Sequence, residues 1–190
     1  MEMKNRSEKE IAIRKAVIRD INSGIPIDQI RVTNIAEKTG ISRSSFYFYY
    51  DSVYDVVQQI EDDFIDSLHP LDHTEANSDT KITKASYDIT LRTLLLFQDH
   101  EDTMRALLSQ NGDVGFAFRL LNRLKKYYYR VGTEAGMSKE EAELYGEYTA
   151  NGNLAIIKYY IFSNHWMTQD QFMKMGYRLL FGCLNKNPGT

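Results

Sequence analysis

The chain has 190 residues, 43% of them hydrophobic and 26% charged, with a formal net charge of −3. This composition is that of an ordinary soluble protein with ample material for a core, and no run of about 18 apolar residues is present to cross a membrane. The charged opening MEMKNRSEKE predicts no secretory signal, and the single cysteine, Cys183, has no intrachain partner, which fits a reducing, cytoplasmic setting.

The predicted elements are helices throughout. Ser7-Glu8-Lys9-Glu10 has the S-x-x-E form of a capping box, and Ile11, Val17, Ile18 and Ile21 follow at roughly helical spacing. Gly24 and Pro26 end that helix. A short second helix fits Val32 to Thr39 and stops at Gly40. A third is capped by Ser42 and runs to about Tyr50. A fourth begins at Ser52-Val53-Tyr54-Asp55 and places Val56, Val57, Ile60, Phe64 and Leu68 on one stripe.

The stretch from Pro70 to Thr80 is polar and turn-rich and predicts a loop. Helices are expected again at about 82–100, 101–110 and 113–135. Ser138-Lys139-Glu140-Glu141 opens a long helix to about Ser163, and Thr168-Gln169-Asp170-Gln171 opens the last, to about Asn185. No alternating run of strand length stands out. The expected fold class is all-α.

Residues 32–50, VTNIAEKTGISRSSFYFYY, form the most informative stretch. Ile35 and Ala36 offer an apolar, partly small face for a close helix crossing. Gly40 permits a left-handed turn, and Ile41 plugs the angle between two short helices. This is the pattern of a helix-turn-helix, whose second helix enters the major groove of DNA with its N-terminal residues leading. The five consecutive aromatics Phe46 to Tyr50 cannot share one core, because a helix turns about 100° per residue. Phe46 and Tyr50, at i and i+4, are expected inside. Arg43, Ser44 and Tyr47 are expected on the opposite side. Arg43 suits guanine O6 and N7, short hydroxyls suit several bases, and the hydroxyls of Tyr47 and Tyr49 suit phosphate. The helix starts near Val32, Ser42 and Ser52 also favour phosphate. Phe48 is expected to pack sideways on the fourth helix or on Tyr54.

Charge tempers this reading. Residues 1–60 carry 9 Lys+Arg against 8 Asp+Glu, and residues 61–190 carry 14 against 18. Any DNA contact therefore rests on placed residues more than on bulk charge.

From Ile11 through Phe64 the sequence resembles the tetracycline-repressor (TetR) family. Val32, Ile35, Ala36, Gly40, Ser42, Phe46 and Tyr47 match its helix-turn-helix pattern directly. The stretches LFQDHEDTMRALLSQNGD and YTANGNLAIIKYYIFSNHWMTQDQF resemble the C-terminal domain of a subgroup common in low-GC Gram-positive bacteria. The resemblance implies a three-helix DNA-binding domain over 1–51 and a larger helical regulatory and dimerisation domain over 52–190. It implies a homodimer, usually a repressor, that binds a palindromic double-stranded DNA operator and is released by a small molecule. Some members of the subgroup answer to a partner protein instead. The DNA-facing set is Arg31, Thr33, Ser42, Arg43, Ser44, Ser45, Tyr47 and Tyr49. Three positions depart from the family. Arg31 replaces a capping Thr, Tyr49 a common His, and Val53 a Lys that contacts the DNA backbone.

In the C-terminal part, the dimer candidates are the last two helices. One carries Leu144, Tyr148, Asn151, Leu154 and Ile161, with Gly146 and Gly152 as flat spots. The other carries Phe172, Met175, Leu179 and Cys183. Phe64, Tyr87, Phe97, Met104, Phe118, Tyr128, Tyr148 and Asn151 form a candidate ligand region, each being individually an ordinary core residue as well. His69 and His73 flank Pro70 and read as surface residues more than a metal pair. The run Lys125-Lys126-Tyr127-Tyr128-Tyr129-Arg130 reads as a half-solvated, half-buried helix. No phosphate loop, nucleophile–base signature or metal cluster is evident, so neither an enzyme nor a cofactor is expected. A co-regulator on the same fold, driven by a partner protein, is the competing reading.

Overall fold

The computed structural model describes residues 6–68, 95–163 and 168–181. Among these the regular structure is helical, with no strand. The helices are α1 (Glu8–Asn22), a short 3-10 turn (Ile27–Gln29), α2 (Val32–Thr39), α3 (Arg43–Tyr49), α4 (Val53–Ser67), α5 (Glu101–Leu107), α6 (Val114–Glu134), α7 (Lys139–Phe162) and α8 (Gln169–Phe181). Residues 95–99 are also helical. The expected 70–80 loop, Tyr87, His69, His73 and Cys183 lie outside the described residues.

The chain divides into two compact units. The first holds the described residues up to Asp66 together with Asp102–Ala117. The second holds those of Ser67–Glu101 and everything from Phe118 onward.

The first unit is built around α1. Ile13, Val17, Ile18 and Ile21 are buried along it, and they meet a core supplied by Ile35, Phe46, Tyr50, Val56, Val57 and Phe64. Ser7 caps α1, its Oγ accepting from the Glu10 N–H at 3.2 Å. The Glu10 carboxylate turns sideways. It accepts from Arg6 Nε at 3.0 Å and from Tyr50 Oη at 3.4 Å. Arg14 donates to Tyr50 Oη at 2.8 Å and to Asp63 at 2.6 Å, and Arg6 also pairs with Asp63. One polar network thus joins α1, the residue after α3, and α4.

The 3-10 turn was not legible in the helical pattern. Its Ile27 is buried, and its backbone N–H donates to the Asn111 carbonyl at 3.3 Å. Helix α5 stops three residues short of the expected Gln110 for a local reason. The Ser109 hydroxyl donates to the Ala106 carbonyl at 2.8 Å, and the chain folds back so tightly that a Cβ on Gly112 would lie 2.5 Å from the Ala106 and Leu107 carbonyl oxygens. Only glycine fits there.

The second unit is held by aromatic and small residues at helix crossings. Tyr128 is fully buried on α6; its hydroxyl accepts from Asn153 Nδ2 of α7 at 2.5 Å, and its ring meets Tyr145 edge-on at 6.2 Å. Ser138 and Glu141 form the complete capping box at the start of α7, with bonds of 3.2 and 2.8 Å. The backbone bond from Ser138 holds the Glu141 carboxyl below its usual range. Thr168 and Gln171 exchange the equivalent pair at the start of α8, at 3.3 and 2.9 Å. Tyr160 of α7 stacks on Phe172 of α8 at 4.2 Å. The basic-aromatic run behaves as expected: Tyr127 and Tyr128 are buried while Lys126 is exposed.

Gly146 is the clearest correction here. It was expected as a flat spot for a partner helix. It is buried within the chain instead, and a Cβ there would lie 3.1 Å from the Lys125 carbonyl oxygen and 3.2 Å from the Tyr129 nitrogen. It is a point of close approach between α6 and α7, as Gly132 against Ala142 is another. Leu154 and Ile161, also offered for the dimer, are likewise buried in the chain's own core.

Two predictions follow from these contacts. Burial raises the Asp63 carboxyl, but the bonds from Arg6 and Arg14 outweigh it, and the group titrates below its ordinary value. Its contribution to stability is therefore present above the unfolded pKa and is lost as pH falls through the lower folded one. Asp63→Asn should cost about 1–2 kcal/mol in urea melts near neutral pH. The difference from the native chain should shrink below about pH 4, where an unfolded Asp carboxyl protonates. A constant difference at all pH values would contradict the assignment. Gly146→Val should destabilise by about 2–3 kcal/mol, because neither backbone neighbour is free to move aside; an unchanged melting curve would show that α6 and α7 separate easily.

Candidate nucleic-acid interface

The site is built on α2, the turn and α3. Gly40 ends α2 with φ +67° and ψ 24°, the left-handed conformation that a glycine adopts at least cost. The Ile41 N–H returns to the Ala36 carbonyl at 3.1 Å and the Thr39 hydroxyl to the Ile35 carbonyl at 2.7 Å, closing the helix end. Ser42 then caps α3, accepting from the Ser45 N–H at 3.1 Å. The turn therefore begins and ends on bonds made by the residues that the sequence singles out.

Behind α3, Phe46 and Tyr50 are buried, at 0% and 2% exposure, as their i, i+4 spacing predicts. Their rings lie 6.0 Å apart. Burial raises the Tyr50 hydroxyl above its usual pKa despite the arginine beside it. The same hydroxyl bonds Arg14, whose guanidinium is held above its ordinary value because the Tyr50 and Asp63 contacts outweigh the cost of burial. Tyr50 is thus anchored at both its ring and its hydroxyl. The orientation of α3 relative to α1 and α4 is fixed from behind.

In front of α3, Arg43, Ser44 and Tyr47 are exposed, Tyr47 by 49%. Ser45 and Tyr49 are partly covered. Arg31 and Thr33 at the start of α2 are exposed, and the Thr33 hydroxyl lies 3.4 Å from Asn34 Oδ1. Arg31 provides no side-chain cap. Ser42 donates to the Ser45 hydroxyl at 3.0 Å while capping, so these two hydroxyls are engaged with each other. Arg31, Thr33, Ser42, Arg43, Ser44, Ser45, Tyr47 and Tyr49 all lie in α2, α3 or their caps.

Phe48 departs from expectation. It does not lie sideways on a neighbouring helix. It is 80% exposed, with its ring edge-on to Tyr49 at 5.0 Å. The signal was in the sequence: the inner face of a seven-residue helix accommodates an i, i+4 pair, so other members of five consecutive aromatics must face out.

The cations of this unit divide between paired and exposed ones, Lys9, Lys15 and Arg19 of α1 being exposed. Arg6 and Arg14 are held by Asp63, and Lys38 is paired with buried Asp20 at 2.5 Å. Arg31 and Arg43 are exposed and make no ion pair among the described residues. Val53, which stands where the family pattern has a lysine, is a buried core residue of α4.

The candidate ligand residues do not gather in one place. Phe64 and Met104 are buried in the first unit, with Phe64 meeting Phe116 at 6.2 Å. In the second unit Phe97 and Tyr128 are buried, whereas Phe118, Tyr148 and Asn151 are exposed. Asn151 donates to the Glu147 carbonyl at 2.8 Å. An open concavity of about 570 Å³ lies where α6 turns into α7, lined by Ala135, Gly136, Met137, Glu141, Leu144, Tyr145 and Tyr148. Tyr148 is the one candidate that lines it.

Residues 84–182 match the family model of a TetR-type transcriptional-regulator C-terminal region. Solved structures share the fold at low identity. The fatty acid degradation regulator FadR from Bacillus halodurans is 18% identical with a TM-score of 0.67, over 97% of this chain and 100% of that one. A putative TetR-family regulator from Shewanella sp. PV-4 is 14% identical with a TM-score of 0.63, over 94% and 98%. SCO3833, a TetR-family member from Streptomyces coelicolor A3, is 15% identical with a TM-score of 0.63, over 98% and 94%. No curated protein matches. With its family model covering just over half of the sequence, the chain belongs to the TetR family of transcriptional regulators.

Proposed function

We propose that this transcriptional regulator is a homodimeric, cytoplasmic repressor that reads a palindromic operator in duplex DNA through α3 and is released by a small ligand in its C-terminal region. The observation that carries the reading is the two-sided character of α3. Its inner face is locked by Phe46 and Tyr50, and its outer face presents a free arginine, short hydroxyls and a tyrosine. A rigid helix with a polar, cationic outer face is what direct readout of base edges requires.

In this reading the DNA head is residues 1–51, and residues 52–190 regulate it. Arg43 reads a guanine. Ser44 and Ser45 adapt to neighbouring bases. Tyr47, Tyr49, Arg31, Thr33 and Ser42 hold phosphates and fix the register. Two heads bind half-sites one helical turn apart, roughly 34–36 Å. The dimer forms through α7 and α8, whose exposed Leu144, Tyr148, Tyr159, Phe162 and Leu179 support an apolar association. The effector binds in the α6–α8 unit, and a swing of α4 breaks the spacing of the heads.

One observation favours a second reading, a co-regulator governed by a partner protein. Arg6, Arg14 and Lys38 are bound to the unit's own carboxylates, and Val53 offers no phosphate contact. Neither reading assigns the chain an enzymatic activity.

The test is selection of bound genomic fragments by the purified protein, followed by titration of the best fragment at two salt concentrations. A palindromic site with a clear salt dependence is expected. Arg43→Ala should weaken that site by about 1–3 kcal/mol and relax preference at one position of each half-site. Tyr47→Ala should weaken all sequences alike. Both variants should keep the dimer, measured by sedimentation. No enriched fragment would favour the partner-driven reading, and unchanged affinity in both variants would remove α3 as the reading element.

A further inference from the structure

Phe48 is the most exposed of the large hydrophobic side chains of α3, on the outward side of that helix. A solvated phenyl ring on the surface of a folded head contributes nothing to the core and carries a hydration cost. The helical geometry says which surface it belongs to. Phe48 follows Ser44 at i+4, as Tyr47 follows Arg43, so the outer face of α3 carries two adjacent stripes, Arg43/Tyr47 and Ser44/Phe48. The face that holds the free arginine and the hydroxyls therefore also holds an apolar group. In the major groove, the apolar feature presented by base pairs is the C5-methyl group of thymine.

We infer that Phe48 is a specificity-determining residue that reads a thymine methyl group in each operator half-site. The inference rests on the proposed reading of α3 and adds an apolar base contact to it. Helical rise separates Phe48 from Arg43 by about 7.5 Å along the axis. With α3 lying in the major groove, that keeps the thymine within about two base pairs of the guanine read by Arg43. The ring is neutral, so the contact changes base preference and leaves the salt dependence to the phosphate contacts of the same head. Its edge-on contact with Tyr49 steers the ring at 5.0 Å without burying it.

The experiment uses the full-length protein and the tightest duplex it selects from randomised DNA. Each thymine of one half-site is replaced in turn by deoxyuridine, which lacks only the methyl group. One replacement should weaken the native protein about fourfold, the worth of one buried methyl-sized group. Phe48→Ala should weaken the unmodified duplex about three- to tenfold, with an unchanged salt slope, and be insensitive to that same replacement. Phe48→Leu, which keeps an apolar tip, should retain most of the thymine preference. An effect of deoxyuridine that persists undiminished in Phe48→Ala would overturn the contact, as would native binding indifferent to every replacement. Failure of the native protein to select any duplex, or an Arg43→Ala variant that binds the selected duplex as tightly as the native protein, would overturn the reading of α3 itself, whereas weakened Arg43→Ala with either of the first two outcomes would overturn the Phe48 contact alone.

Discussion

The anchoring of Tyr50 is the constraint on which the rest of the proposed DNA head depends. Its ring lies against Phe46 in the core, and its hydroxyl sits between Arg14, Glu10 and, through Arg14, Asp63. One side chain thus ties the end of α3 to α1 and α4. Recognition by a two-turn helix depends on its angle to the groove, and a helix this short has little intrinsic stability of its own. Its orientation must come from tertiary packing and from a polar network that tolerates few alternative arrangements. The same network joins α4 to α3, so a displacement of α4 has a direct mechanical route to the outer face of the head.

That anchoring consumes positive charge. Arg6 and Arg14 answer Asp63, and Lys38 answers the buried Asp20. On α2 and α3 what remains for an anionic partner is a pair of exposed arginines, Arg31 and Arg43, at the starts of those helices, while Lys9, Lys15 and Arg19 are exposed on α1. Residues 1–60 are nearly balanced, with 9 Lys+Arg against 8 Asp+Glu, so the head lacks the strong net positive charge that drives non-specific binding. Recognition by such a surface depends on hydroxyls, on one well-placed guanidinium and, in the inference above, on an apolar ring. A charge count by residue number does not reveal this, because it treats a lysine locked to Asp20 and an arginine open to solvent as equal.

Much of the helix-turn-helix was legible because local rules and tertiary demands agree there. Gly40 adopts the left-handed conformation its position requires, Ser42 caps α3, and the i, i+4 pair Phe46 and Tyr50 is buried. The capping boxes at Ser138 and Thr168 formed as their spacing implied. Long-range features were not legible. The short 3-10 turn depends on a bond to Asn111, far along the chain, and α5 ends early because of the fold-back at Gly112. Gly146 looked like a flat spot for another subunit, since sequence spacing cannot say which helix approaches a glycine; it is Lys125 and Tyr129 of the same chain that do. The candidate ligand residues were chosen as amphipathic or aromatic, a property shared by core and surface, and they fall in both.

The central claim is that the outer face of α3 is the DNA-reading surface, held from behind by Phe46 and Tyr50. The most direct measurement is residue-resolved amide protection of the full-length protein with and without its selected duplex, using a scrambled duplex of equal length as control. The account predicts added protection over residues 31–34 and 42–49 with the selected duplex alone, while core amides around Tyr128 and Asn153 stay unchanged. Protection confined to other helices, or equal protection by both duplexes, would contradict it.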